Sequence, residues 1–138
     1  MNPLTKQQVF DKVWDRFVIK RKPLSFIRIK PTNFIYTQFY GSDSARDPIG
    51  MFIPEENYCA DWMDESSGCT VYSFLLGLKV RGLDKEPWTQ IFFQHESLFE
   101  DLEKAHDDVA RFIKPYKRLG VMRGKLIGVA KKHKLKYV

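Results

Sequence analysis

Apolar residues Phe10, Val13, Trp14, Phe17 and Val18 recur at steps of three and four, and this spacing predicts an opening amphipathic helix. Thr5 and Gln8 stand at the two ends of a capping box in front of it, and Pro23 stops it after Lys20 to Lys22. The period then changes. Ser25 to Lys30 alternates, Pro31-Thr32-Asn33 carries turn chemistry, and Phe34 to Tyr40 is aromatic and β-branched, so an antiparallel hairpin is expected. Ile49 to Ile53 is a short apolar run before Pro54-Glu55-Glu56, expected as a short strand leading into a helical turn. Ser66-Ser67-Gly68 marks a break, and Val71, Phe74, Leu75 and Leu78 then predict a helix closed by Gly82.

Ser97 and Glu100 fit a second capping box ahead of Phe99, Leu102, His106, Val109 and Ile113, which predicts a long helix to about Lys114 with Pro115 as its breaker. From Tyr116 onward Leu119, Met122, Leu126, Val129 and Ala130 share one helical face and the cations lie mostly elsewhere. Gly120, Gly124 and Gly128 weaken this last helix by up to about 1 kcal/mol each, so it needs packing or a partner. The expected fold class is α+β: an opening helix, a small antiparallel sheet, then three or more helices, the last one basic. Aromatic residues of the hairpin are expected to pack against the opening and later helices.

Composition adds size. With 138 residues, 43% of them hydrophobic, and 11 Phe, 6 Tyr and 3 Trp, the chain can bury a sizeable core, and residues 1–138 are expected to form a single domain. No segment near Met1 reads as a signal peptide, and no run approaches the roughly 20 apolar residues that span a bilayer, so a cytoplasmic protein of the host cell is expected.

Charge adds a partner class. The formal net charge is +6, yet Val109 to Val138 holds ten cations and no carboxylate, Met1 to Asp47 nets +5 and Pro48 to Asp108 nets −9. A chain that runs basic, acidic, basic favours an acidic partner for its tail: a host or defence protein, a nucleic acid or a nucleotide. The candidate binding residues are Lys117, Arg118, Lys125, Lys131, Lys132, Lys134, Lys136 and Tyr137. Seven of the ten tail cations are Lys, whose point charge suits positioning on phosphates better than bidentate base reading.

Three segments carry a resemblance. Phe10-Asp11-Lys12-Val13-Trp14, Ile49 to Tyr58 and Leu102 to Asp108 resemble, in that order, a group of short proteins of bacteriophages and bacterial genomes with G-x-x-I-P-[DE]-E-x-Y and L-x-x-A-H-D type segments and no characterised function. The resemblance covers about two thirds of the chain. Relatives often have cysteines just before the G-x-x-I-P segment, where this chain has Arg46-Asp47-Pro48, and the glycine-spaced basic tail is an addition. The resemblance implies a phage or mobile-element setting and no established reaction.

Other chemistry is weighed against plainer readings. His106 beside Asp107 and Asp108 has the makings of a general base, but neighbours on a helix point about 100° apart. A core histidine bonded to a carbonyl is expected there, with both aspartates solvated. His95, His106, Cys59 and Cys69 lack zinc-ligand spacing, so no metal and no cofactor are expected. Glu55, Glu56, Asp61, Asp64 and Glu65 lack a calcium-loop register and read as a solvated acidic face. The expectation is therefore a non-enzymatic accessory protein of phage type that inhibits or sequesters a host or defence component. A sequence-nonspecific nucleic-acid binder and a small histidine/carboxylate enzyme are the alternatives.

Overall fold

The computed structural model describes residues 3–29, 32, 34–66 and 70–137, and the fold is α+β with helices following a two-stranded sheet. The opening helix α1 (Lys6–Trp14) begins as its sequence requires. Thr5 Oγ1 accepts from the Gln8 amide at 3.2 Å and Gln8 Oε1 accepts from the Thr5 amide at 2.9 Å. Five further residues, Asp15–Ile19, continue it as a π-helical turn, and Arg21 in the left-handed region then turns the chain away.

Strands β1 (Phe26–Ile29) and β2 (Phe34–Thr37) form the antiparallel hairpin, with Phe26 opposite Thr37 and Ile29 opposite Phe34. That register puts Ile27, Ile29, Phe34 and Tyr36 on one face, and all four are exposed. The expected packing of hairpin aromatics therefore holds for Phe26 and Phe39 and fails for Phe34 and Tyr36, whose rings lean on each other at 4.8 Å. Of the expected turn residues, Pro31 and Asn33 lie outside the described residues. The expected strand at Ile49 to Ile53 is instead a 3-10 turn, Gly50–Phe52. A Cβ on Gly50 would sit 1.9 Å from the Phe39 carbonyl oxygen, so this close approach requires glycine.

A second 3-10 turn, Glu55–Asn57, leads to α2 (Ala60–Ser66), a helix the apolar spacing did not announce. Next come α3 (Val71–Val80), which ends at Gly82 with φ 70°, and the short α4 (Gln90–Gln94). The long α5 (Glu96–Phe112) starts directly after His95, so the second capping box does not form: Ser97 already lies inside the helix, and the Phe99 amide donates to the His95 carbonyl. Then α6 (Arg118–His133) follows a 3-10 turn at Pro115–Lys117. Among the described residues no helix is long and apolar enough to cross a membrane.

One hydrophobic cluster joins these elements. Rings of Phe39, Phe74, Phe92 and Phe99 follow one another at centroid distances of 5.0, 5.3 and 4.9 Å. Met122, Leu126 and Ala130 of α6 are fully buried in the same core. Each large apolar side chain buried this way stabilises the fold by about 1.5–3 kcal/mol. The tail is thus part of the fold, and the packing that its glycine-spaced helix needs comes from this core.

Candidate functional site

Two groups of ionisable side chains have the chemistry for a site, and they differ in access. The first lies in the core, where the segment around Asp47 meets α5. Asp47 Oδ1 accepts from the Ile49 amide at 3.0 Å and the Gly50 amide at 2.6 Å, while Glu103 Oε1 accepts from the Ile49 amide at 2.8 Å. Asp47 Oδ2 is buried and receives no N–H or hydroxyl donor. Burial together with the Asp47 and Asp107 charges pushes the Glu103 carboxyl well above the usual carboxylate range. Burial also pushes Asp47 up to about 6, against the hydrogen bond from Glu103, which lowers it.

His106 completes this group. Its Nε2 accepts from the Ser25 amide at 2.9 Å, which leaves the proton on Nδ1, and Nδ1 donates to Asp107 Oδ1 at 2.9 Å. The expected carbonyl partner is therefore an amide, and Asp107, expected to be solvated and turned away, is buried and orients the ring directly. Flexible χ angles overcome the 100° offset of neighbouring helix positions, because the ring nitrogen is reached from the side. Asp108 does face outward, paired with Lys104 at 2.8 Å. The second and third segments of the resemblance meet here, where the Ile49 amide donates to Glu103 three residues before His106.

One ligand atom each from Asp47, His106 and Asp107 lies within 4.8 Å of the others, a set of three that the sequence spacing did not suggest. Both imidazole nitrogens and Asp47 Oδ1 are already hydrogen-bonded, so a cation would have to displace the Nδ1 proton. The residues weighed for zinc do not converge: His95 bonds the Leu4 carbonyl, Cys59 is exposed, His106 is in the core and Cys69 lies outside the described residues.

The second group is the cationic exterior, and α6 packs so that the two basic ends of the sequence become neighbours. Arg21 from the segment after the π turn and Arg123 from α6 flank a cleft of about 110 Å³ over Phe17, Val18, Leu119 and Gly120. At the other end of α6 the Gln7 amide clamps Lys136, its Nε2 donating to the Lys136 carbonyl and its Oε1 accepting from the Lys136 amide, both at 2.9 Å. Tyr137 lies beside Trp14 with ring centroids 5.8 Å apart.

The eight candidate binding residues do not form one patch. Arg118 turns inward over the Phe26 ring and donates to the Ile113 and Ala110 carbonyls, both at 3.1 Å, which closes the C-terminus of α5. Lys132 pairs with Asp101 at 3.0 Å, and His133 shares that carboxylate at 2.6 Å. Partial burial works to raise the Asp101 carboxyl, but these two partners outweigh it and hold it below its ordinary value. Lys125 lines the same α5/α6 groove among Asp101, Lys104 and Asp108. Lys117, Lys131, Lys134 and Lys136 are exposed and have no ion pair among the described residues.

The acidic middle of the chain faces solvent from the 3-10 turn at Glu55–Asn57 and from α2. Arg46 lies 3.6 Å over the Tyr40 ring, which stacks on Tyr58 at 3.9 Å, and its guanidinium is 3.7 Å from Glu55. Tyr58 donates to Asp64, and burial together with that carboxylate raises the phenol. No family model, curated protein or solved structure matches the chain.

Proposed function

We propose that the chain is a binding protein, not an enzyme, which holds an acidic protein partner on the cationic side formed by α6, the C-terminal residues and the segment after the π turn. Occupying that partner inhibits or sequesters it. The phage or mobile-element setting implied by the resemblance makes a host or defence component the target. The observation that carries this reading is that Lys117, Lys131, Lys134, Lys136, Arg21 and Arg123 have no carboxylate partner among the described residues, although acidic groups abound elsewhere on the molecule. Unpaired surface cations speed encounter with an acidic surface and set its orientation. Tyr72, Leu76 and Val80 add support for a protein partner, since they expose an apolar stripe at four-residue steps on α3. The histidine and carboxylate group around His106 is sealed in the core and its imidazole nitrogens are committed, which favours binding over catalysis.

The test replaces Lys131, Lys134 and Lys136 by Gln, sparing Lys132 because it is tied to Asp101. Exposed ion pairs contribute up to about 1 kcal/mol each, so affinity for the partner recovered from nuclease-treated infected cells should fall about tenfold or more, with a weaker salt dependence. Equal affinity of parent and variant at low and moderate salt would remove the cationic side from the interaction.

A further inference from the structure

A groove of about 530 Å³ lies between the hairpin and the C-terminal end of α5, lined by Arg28, Thr32, Phe34, Ile35, Arg111 and Phe112. Phe34 is 54% exposed and Phe112 is 76% exposed, a large cost in hydrated aromatic surface for side chains that support no core. Neither Arg28 nor Arg111 has an ion pair among the described residues, and Arg111 Nε is shut off from solvent without an acceptor. Arg118, seated over the Phe26 ring of the same strand, feels the Arg28 charge. Like charges thus act on each other with no carboxylate paired to them among the described residues, and an anion entering the groove relieves the repulsion.

We infer that this groove binds single-stranded nucleic acid, with Arg28 and Arg111 on the phosphodiesters and the exposed parts of the Phe34 and Phe112 rings stacked on bases. A guanidinium fork fits phosphate oxygens in pairs, and aromatic rings accept any base, because every base has a stacking face. Duplex bases already cover one another and present no such face. An acidic peptide satisfies the arginines and leaves both rings wet. The inference shares no residue with the cationic side of α6, so either reading stands or falls without the other.

The experiment is fluorescence anisotropy with a short labelled oligo-uridylate and a duplex of equal length, using the full chain. The single strand should bind more tightly than the duplex. Phe34→Ala and Phe112→Ala should each weaken it about tenfold. Phe112→Leu, which keeps apolar bulk without a stacking face, should weaken it in the same way, so a loss does not depend on one truncation. Replacing Arg28 and Arg111 together by Gln should weaken binding further and flatten its salt dependence, because two phosphate contacts disappear. The variant lacking Lys131, Lys134 and Lys136 should bind the strand like the parent. Absence of strand binding at low salt, equal affinity for the duplex, phenylalanine variants that bind like the parent, or displacement of the strand by polyglutamate of equal charge would each overturn the inference.

Discussion

The group around His106 and the outer face of α6 are both rich in ionisable side chains, and their surroundings give them opposite roles. Around His106 the backbone amides and the imidazole find acceptors inside the protein: two backbone amides on Asp47, one of them shared with Glu103, one on the imidazole, and the imidazole proton on Asp107. Such a network joins the residue before β1, the loop before the Gly50 turn and α5 across some eighty residues of sequence, and it fails as a unit. On the outer face of α6 the ammonium groups of Lys131, Lys134 and Lys136 meet water. Removing one of them leaves nothing buried unsatisfied. The comparison teaches that the same residue types hold the fold where water is excluded and remain available to a partner where it is not.

The sharpest way to break this contrast is His106→Leu. The substitution leaves the Ser25 amide and the Asp107 carboxylate buried without partners, at a cost of about 3–5 kcal/mol, so the melting temperature should drop steeply. A variant as stable as the parent would mean that water reaches the group and that the core reading of His106 is wrong.

The pH dependence is the next largest effect. Asp47 stands at about 6 in the folded protein against an ordinary 3.8, so between those values the folded state holds more protons than the unfolded one. Stability from this group is full below about 4 and is lost as pH rises through 6, by at most about 3 kcal/mol. Asp101, held low, works in the opposite direction and masks part of the trend. The clean measurement is therefore the stability difference between the parent and Asp47→Asn, whose side-chain oxygen still accepts from Ile49 and Gly50. Lowering the pH from 7 to 4 should shift that difference in favour of the parent. A difference constant with pH would place Asp47 in contact with solvent.

The smallest effect concerns α6. A Cβ built on Gly124 meets nothing within 4 Å, and the residue faces solvent in a helix interior. Gly124→Ala should therefore raise stability, by up to about 1 kcal/mol, as read from a urea midpoint at unchanged slope. Destabilisation would show that the outer side of α6 is packed, and the contrast with the His106 group would lose its meaning.

Much of this arrangement is legible in the chain. The capping box at Thr5 and Gln8, the hairpin alternation, Gly82 and Pro115 predict α1, the two strands, the end of α3 and the end of α5, because each is a local rule of backbone geometry and hydrogen bonding. Local rules also mislead where a longer-range contact competes. The Ile49 to Ile53 run turns as a 3-10 segment because Asp47 and Glu103 take its amides and Phe39 presses on Gly50, and Ser97 caps nothing because α4 runs into α5. The candidate residues show the same division: the charge of Lys117, Lys131, Lys134 and Lys136 could be read as available, whereas nothing near Arg118 or Lys132 in sequence reveals the carbonyls and the carboxylate that hold them.

By itself the sequence determined the order and type of the main elements, the apolar faces that build the core and the separation of charge into basic, acidic and basic blocks, since all three depend on spacing along the chain. Tertiary structure alone decided that Asp47, Glu103, His106 and Asp107 share one dry pocket of hydrogen bonds, that the two basic ends become neighbours, and that Arg28 and Arg111 reach one groove with Phe34 and Phe112. The physical reason is that solvation and pairing of a charge depend on which distant segments surround it, and that neighbourhood exists only once the helices have packed.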